Sequence, residues 1–147
     1  MVSDWLYPLS RRSAFYFFDS SGKPLSDTSF DSFEKMMQKP STDNWWVCST
    51  NFRQVSEGDR VWCYYGTADG DLGIVALATI HEIHHDEKKK HHEINLRWNR
   101  RATDRLMATP VPATVVRKFV LRPRASVWGL DSHQKLVTQL EKASGLR

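Results

Sequence analysis

The run Gly73-Ile74-Val75-Ala76-Leu77-Ala78-Thr79-Ile80 carries no charge and is apolar on both faces of any strand it forms. Successive strand side chains point to opposite faces. Such a run therefore needs cover on both sides, which only a central strand with packed material on each face receives. Gly58-Asp59 and the β-rich Arg60-Val61-Trp62-Cys63-Tyr64-Tyr65 precede it, and the turn Gly66 to Gly70 joins the two runs. That arrangement predicts a hairpin at the centre of a sheet.

The remaining segments fit around this centre. Trp5-Leu6-Tyr7, Ala14-Phe15-Tyr16-Phe17-Phe18 and Trp45-Trp46-Val47-Cys48 read as short strands, and Ser20 to Pro24 as a turn. Ser29 to Lys39 reads as a helix: Phe30, Phe33, Met36 and Met37 share one stripe, and Pro40 stops it. His92, Ile94, Leu96 and Trp98 alternate as in a half-buried strand, with Asp86 to His91 as the loop before it. Pro112 to Phe119 predicts a short helix and Ser126-Val127-Trp128 a closing strand. Asp131 to Ala143 predicts a last helix, N-capped by Asp131, with Leu136, Val137 and Leu140 inward and Gly145 at its end. The expected fold class is α+β: a single domain over residues 1–147, a small mixed β-barrel of about five to six strands flanked by short helices.

With 40% hydrophobic and 26% charged residues, the chain is expected to be globular rather than disordered. No apolar stretch approaches the roughly 20 residues that span a bilayer, and the N-terminus has no charged-then-apolar leader pattern. A cytoplasmic protein without a membrane partner is the expectation. Cys48 and Cys63 both lie in apolar runs; a disulfide stays open, with buried thiols favoured in a reducing compartment. The net charge of +4 is modest, but its distribution is uneven. Between residues 97 and 124, Arg97, Arg100, Arg101, Arg105, Arg117, Lys118, Arg122 and Arg124 face a single acid, Asp104. Clustered arginine suits phosphate oxygens; a solvated basic face is the alternative.

The ordered segments resemble the EVE-type domain of the PUA-like superfamily. That family's central strand opens on Gly-Asp and ends in Tyr-His-Ser or a similar triplet, where this chain has Gly58-Asp59 and then Tyr64-Tyr65-Gly66. The family's next strand reads Gly-Ile-Val-Gly-Ile-Ala-Glu-Val, matched by Gly73 to Ile80. Trp45-Trp46-Val47-Cys48-Ser49-Thr50 falls where the family, and the related YTH readers, have a Trp-containing strand. Ile94 to Trp98 falls on the next barrel strand, and Trp5-Leu6-Tyr7 on the first. Tyr65-Gly66 replaces the family's His-Ser pair, and the segment between Trp46 and Gly58 is shorter. The resemblance implies a nucleic-acid-binding module that flips a modified base into an aromatic pocket, a modified cytosine in DNA foremost. It also implies the reader part of a modification-dependent restriction endonuclease, with any nuclease domain outside this chain. The alternative is an RNA-binding, YTH-like module.

The residue types suit that chemistry. An extruded base needs aromatic walls to replace stacking, polar groups to read its edge and cations to hold its phosphates. The resemblance gathers Trp45, Trp46, Trp62, Tyr64, Tyr65, Gly66 and Trp98 around one pocket, with Ser49, Thr50 and Asp71 as edge readers. Trp46 and Tyr65 lead that set, and a Trp46→Ala change is expected to abolish discrimination. Arg11, Arg12, Arg97, Arg100, Arg101, Arg105 and Arg122 are the expected phosphate contacts. Strand alternation places Tyr64 opposite Tyr65, so only one of their faces can meet a pocket, and any single Trp can equally be core.

Two other chemistries are set aside. His81, His84, His85, His91 and His92 could bring His81 or His84 near His92 in a hairpin, but Lys88-Lys89-Lys90 would repel a cation, and a solvated loop accounts for them. Glu87-Lys88-Lys89 fits a nuclease Glu-x-Lys pattern, yet it falls in a polar loop. No catalytic residue, metal or cofactor is expected.

Overall fold

A computed structural model of the chain describes residues 2–40, 45–48, 54–86, 88, 91–121, 123 and 127–147, the side chains of residues 68 and 91 excepted. Among these, six strands form one mixed sheet: β1 (Asp4–Leu9), β2 (Trp45–Cys48), β3 (Arg60–Tyr65), β4 (Gly73–Asp86), β5 (His91–Trp98) and β6 (Trp128–Gly129). Their order is β2-β5-β4-β3-β1-β6. β1 runs parallel to β3, and every other pairing is antiparallel. Four α-helices accompany the sheet: α1 (Phe30–Gln38), α2 (Arg100–Ala108), α3 (Ala113–Arg117) and α4 (Gln134–Ala143).

The sheet curls into a half-barrel. Four strand spacings separate β1 from β2, about 19 Å if the sheet were flat. Yet the ring centroids of Tyr7 on β1 and Trp46 on β2 are 5.2 Å apart, and Tyr7 Oη donates to the Val47 carbonyl. Register shifts at Cys63/Tyr64 and at Ile80/Glu82 mark bulges, which add local twist.

β4 is the covered central strand that its apolar run predicts. Val75, Ala76, Ala78 and Ile80 join the core inside the curl, while Ile74 and Leu77 join a second core outside it. α1 plugs the inner core with Phe33, Met36 and Met37, its Ser29 side chain capping Ser32 N. Ala102 and Leu106 of α2, Ala113 and Val116 of α3, and Leu136, Val137 and Leu140 of α4 cover the outer core. No helix among the described residues is long and apolar enough to cross a membrane.

The Gly58-Asp59 pair has a structural reason. Gly58 takes φ +90°, and the Asp59 carboxylate then accepts Trp5 Nε1 at 2.9 Å, Ser56 N at 2.9 Å and Ser3 N at 3.1 Å. The pair ties the entrance of β3 to β1.

The structure corrects four expectations. Ala14 to Phe18 is not a strand: its one backbone pairing is an isolated bridge between Phe18 and Pro24. β4 extends to Asp86 and β5 begins at His91, so the histidines expected in a loop belong to a hairpin. α4 starts at Gln134 rather than behind an Asp131 cap, because the Asp131 carboxylate accepts the Asp4 amide instead. Helix α2 falls where only a basic cluster was read; Asn99 caps it through Ala102 N.

Asp27 anchors the approach to α1. Its carboxylate accepts from the Ser32 and Ser29 hydroxyls, which hold its pKa down at about 2, below the ordinary 3.8. A group with a lowered folded-state pKa stabilises fully above its unfolded value and loses that contribution as pH falls through the folded one. The difference in melting temperature between Asp27→Ala and the parent should thus hold from neutrality to about pH 4, shrink through about pH 2 and be lost by about pH 1. A constant difference across that range would show that the carboxylate charge contributes nothing.

Candidate nucleic-acid interface

The segment between β1 and α1 packs against both β1 and β2: the Phe15 ring lies 6.0 Å from that of Tyr7 and 4.8 Å from that of Trp46. Thr28 fastens one end: its N donates to Arg11 O at 3.0 Å, its Oγ1 donates to Ser10 O at 2.6 Å, and its Oγ1 accepts Ser13 N at 2.8 Å. Arg11 N also donates to Asp69 Oδ1 at 2.9 Å. At the other end Asp19 closes the turn, accepting from the amides of Ser21 and Lys23, and Leu25 N donates to Phe17 O at 2.7 Å.

Side chains alternate along this segment although it pairs with no strand. Phe15 and Phe17 pack against the inner core, while Tyr16 stands 64% exposed and Phe18 36%. Two clefts flank the exposed residues. One, of about 730 Å³, is lined by Phe15, Tyr16, Phe18, Trp45, Val47 and Glu93 among others. The other, of about 620 Å³, is lined by Arg11, Arg12, Phe15, Tyr16, Asp27 and Thr28 among others. They share Ala14, Phe15 and Tyr16, so aromatic and cationic surfaces adjoin. Both volumes lie within the roughly 300–1,000 Å³ usual for ligand sites.

Behind this surface lies a packed aromatic cluster. Phe15 stacks on Trp46 with ring centroids 4.8 Å apart, and Trp46 meets Trp98 edge-on at 5.4 Å. Phe33 meets Trp98 at 5.6 Å, and Tyr65 meets Phe30 at 5.7 Å. Tyr65 Oη donates to Thr28 O at 2.8 Å, and burial pushes the Tyr65 phenol well above its ordinary pKa. Trp98 Nε1 and Asn95 Oδ1 are buried without a hydrogen-bond partner among the described residues.

The expected pocket residues are thus divided. Trp45 lines a cleft. Trp46 is 1% exposed and Tyr65 fully buried; both belong to the packed cluster rather than to a cleft wall. Trp46→Ala would therefore empty a core position as well as touch any ligand, and cannot isolate discrimination as expected. Trp98 lies behind Trp46. Trp62 and Tyr64 do not join them: both point through the other face of the sheet into the outer core, as strand alternation requires. Gly66 precedes a short 3₁₀ turn, Thr67–Asp69. Asp71 is engaged by both terminal nitrogens of Arg117, whose hydrogen bonds lower its pKa. It is a turn anchor rather than a free edge reader. Ser49 and Thr50 lie outside the described residues.

The arginines divide as well. Arg11 and Arg12 flank Tyr16. Arg97 and Arg101 are exposed elsewhere, Arg100 donates to Met37 O at the C-terminal end of α1, and Arg105 lies close to Gly145. Arg122 and Arg124 lie outside the described residues. Phe15, Tyr16, Phe18, Val47 and Glu93 were not expected at a site. The signal for them was the aromatic run beside Arg11-Arg12, which reads equally well as a core strand.

No protein-family model matches the chain, and no curated protein matches it in sequence. Two solved structures are similar over nearly its whole length. Protein Atu2648 from Agrobacterium tumefaciens is 17% identical with a TM-score of 0.53, the match covering 97% of this chain and 93% of that one. Rpa0253 from Rhodopseudomonas palustris is 19% identical with a TM-score of 0.50, the match covering 99% and 94%. At such identities the likeness is one of fold. The chain thus shares an α+β, curled-sheet architecture with these two bacterial proteins.

Proposed function

We propose that the chain is a nucleic-acid-binding module of the EVE/PUA-like kind that seats a modified base, a modified cytosine in DNA foremost, in the cleft beside Phe15 and Tyr16. The observation that carries this reading is the exposed Tyr16 ring set between the Arg11-Arg12 rim and the Trp45 and Phe18 side chains. An exposed aromatic offers a base a face to stack on, worth about 1–3 kcal/mol per base. The neighbouring guanidinium forks suit flanking phosphates. Asp27, the acid on that rim, already accepts from Ser29 and Ser32. The relation to restriction enzymes rests on the family resemblance alone.

Two variants test the site. Tyr16→Ala should weaken binding of a modified strand about 5- to 150-fold, the equivalent of the stacking range. It should leave the fold intact, because the ring is largely outside the core. Arg12→Ala should weaken all strands alike and make the salt slope shallower by about one. Unchanged affinity in Tyr16→Ala would remove the base from this cleft.

A further inference from the structure

Tyr16 is the wall between two clefts. They share Ala14, Phe15 and Tyr16 and diverge from there. Phe17 is fully buried and Phe15 stacks on Trp46 with centroids 4.8 Å apart, so the chain is pinned on both sides of Tyr16. On that footing the ring stands 64% exposed, already placed for a ligand before one binds. The two sides differ in chemistry. Phe18, Trp45 and Val47 make the larger cleft mostly apolar, whereas Arg11, Arg12, Ser13 and Ser26 make the smaller one polar and cationic. The Arg11 charge acts on Asp27, while Arg12 is exposed on the same rim.

We propose that the site takes two successive nucleotides of a single strand, with the Tyr16 ring inserted between their bases. This rests on the nucleic-acid reading of the cleft and adds to it a second base and a strand state. The read base occupies the larger, apolar cleft. Its neighbour stacks on the other side of Tyr16, and the phosphate that links the two lies toward Arg12, whose guanidinium fork suits it. Successive bases of one strand lie about 3.4 Å apart, and an inserted ring opens that step to about 7 Å. A duplex resists such opening, because the complementary strand must unstack at the same step and the read base must first leave its pair. A single strand carries neither cost. Two bases on one ring also use both of its stacking faces, where a single base would use one.

Fluorescence anisotropy of short single DNA strands tests this, with 5-methylcytosine at the centre and an abasic sugar on its 5′ side, on its 3′ side or on neither. The same series is made around plain cytosine. One of the two abasic positions should weaken binding about 5- to 150-fold, the equivalent of one lost base–aromatic stack, and the other much less. Tyr16→Ala should erase the difference between the two abasic strands, and Tyr16→Phe, which keeps the ring, should preserve it. The parent should bind the matching duplex at least tenfold more weakly than the single strand. Equal effects of the two abasic positions, a one-sided effect that survives Tyr16→Ala, or a duplex bound as tightly as the single strand overturns the proposal. The plain series keeps base discrimination apart from it. If both cytosines bind alike but the abasic effect is one-sided, discrimination fails and the inserted ring stands. If 5-methylcytosine is preferred but neither abasic position matters, discrimination stands and the inserted ring fails.

Discussion

Replacing Asp4 with alanine should cost about 2–3 kcal/mol of stability, because it removes a buried carboxylate that accepts three hydrogen bonds and leaves a half-buried arginine with one counter-charge in place of two. Asp4 is 5% exposed. It accepts Arg60 Nε at 2.7 Å, Arg60 Nη2 at 3.1 Å and Trp62 Nε1 at 2.8 Å. Arg60 Nη1 continues to Glu141 Oε2 at 3.1 Å, so the group joins β1, β3 and α4. Alanine orphans the indole N–H and leaves the guanidinium with Glu141 alone. Asp4→Asn should lose less, since it can still accept from Trp62. Urea unfolding of the three proteins reads both differences. A loss under about 1 kcal/mol for alanine would place the pair among weak surface bridges.

Gly73→Ala should cost on the order of 4 kcal/mol, in the range reserved for steric conflict in the backbone. Gly73 takes φ +104°, and a Cβ there would lie 1.8 Å from the Val111 carbonyl oxygen and 2.7 Å from Ala113 N. Neither atom is at the end of a flexible side chain. Ile74 and Val111 exchange backbone hydrogen bonds of 2.9 and 3.2 Å next to this point, so the two segments cannot part without losing both. Relief would require the start of β4 to detach from the segment leading into α3. The same urea titration measures it, and a change under about 1 kcal/mol would show that this approach yields cheaply.

These sites also show what the chain's letters disclose. The β3–β4 hairpin is legible because an uncharged run apolar on both faces has only one comfortable place in a sheet. α1 is legible through its Ser29 cap and its Phe33-Met36-Met37 stripe. α2 is not: only Ala102, Thr103 and Leu106 turn inward, and the surrounding arginines hide that short stripe. Ala14 to Phe18 alternates like a strand, but alternation reports which side chains are inside, not whether the backbone has a partner. The segment therefore read as a strand, and nothing in its letters singles out Tyr16 and Phe18 as the exposed pair. Bulges are equally invisible. One residue at Ile80/Glu82 decides that His85 rather than His84 faces His92. At the candidate site, Trp45, Arg11 and Arg12 are legible as aromatic and basic residues. That Trp46 and Tyr65 are packed behind the surface follows from the curl of the sheet, which no local pattern encodes.

Binding to matched strands reads whether the proposed cleft distinguishes a modified base from a plain one. Fluorescence anisotropy addresses it most directly, using one short duplex carrying cytosine, 5-methylcytosine, 5-hydroxymethylcytosine, adenine or N6-methyladenine, repeated as single-stranded DNA and as RNA. One modified strand should bind at least tenfold tighter than its plain counterpart, about 1.4 kcal/mol, with DNA ahead of RNA. Equal, salt-sensitive binding to every strand would contradict the claim and leave a basic, curled sheet that holds phosphates without reading a base.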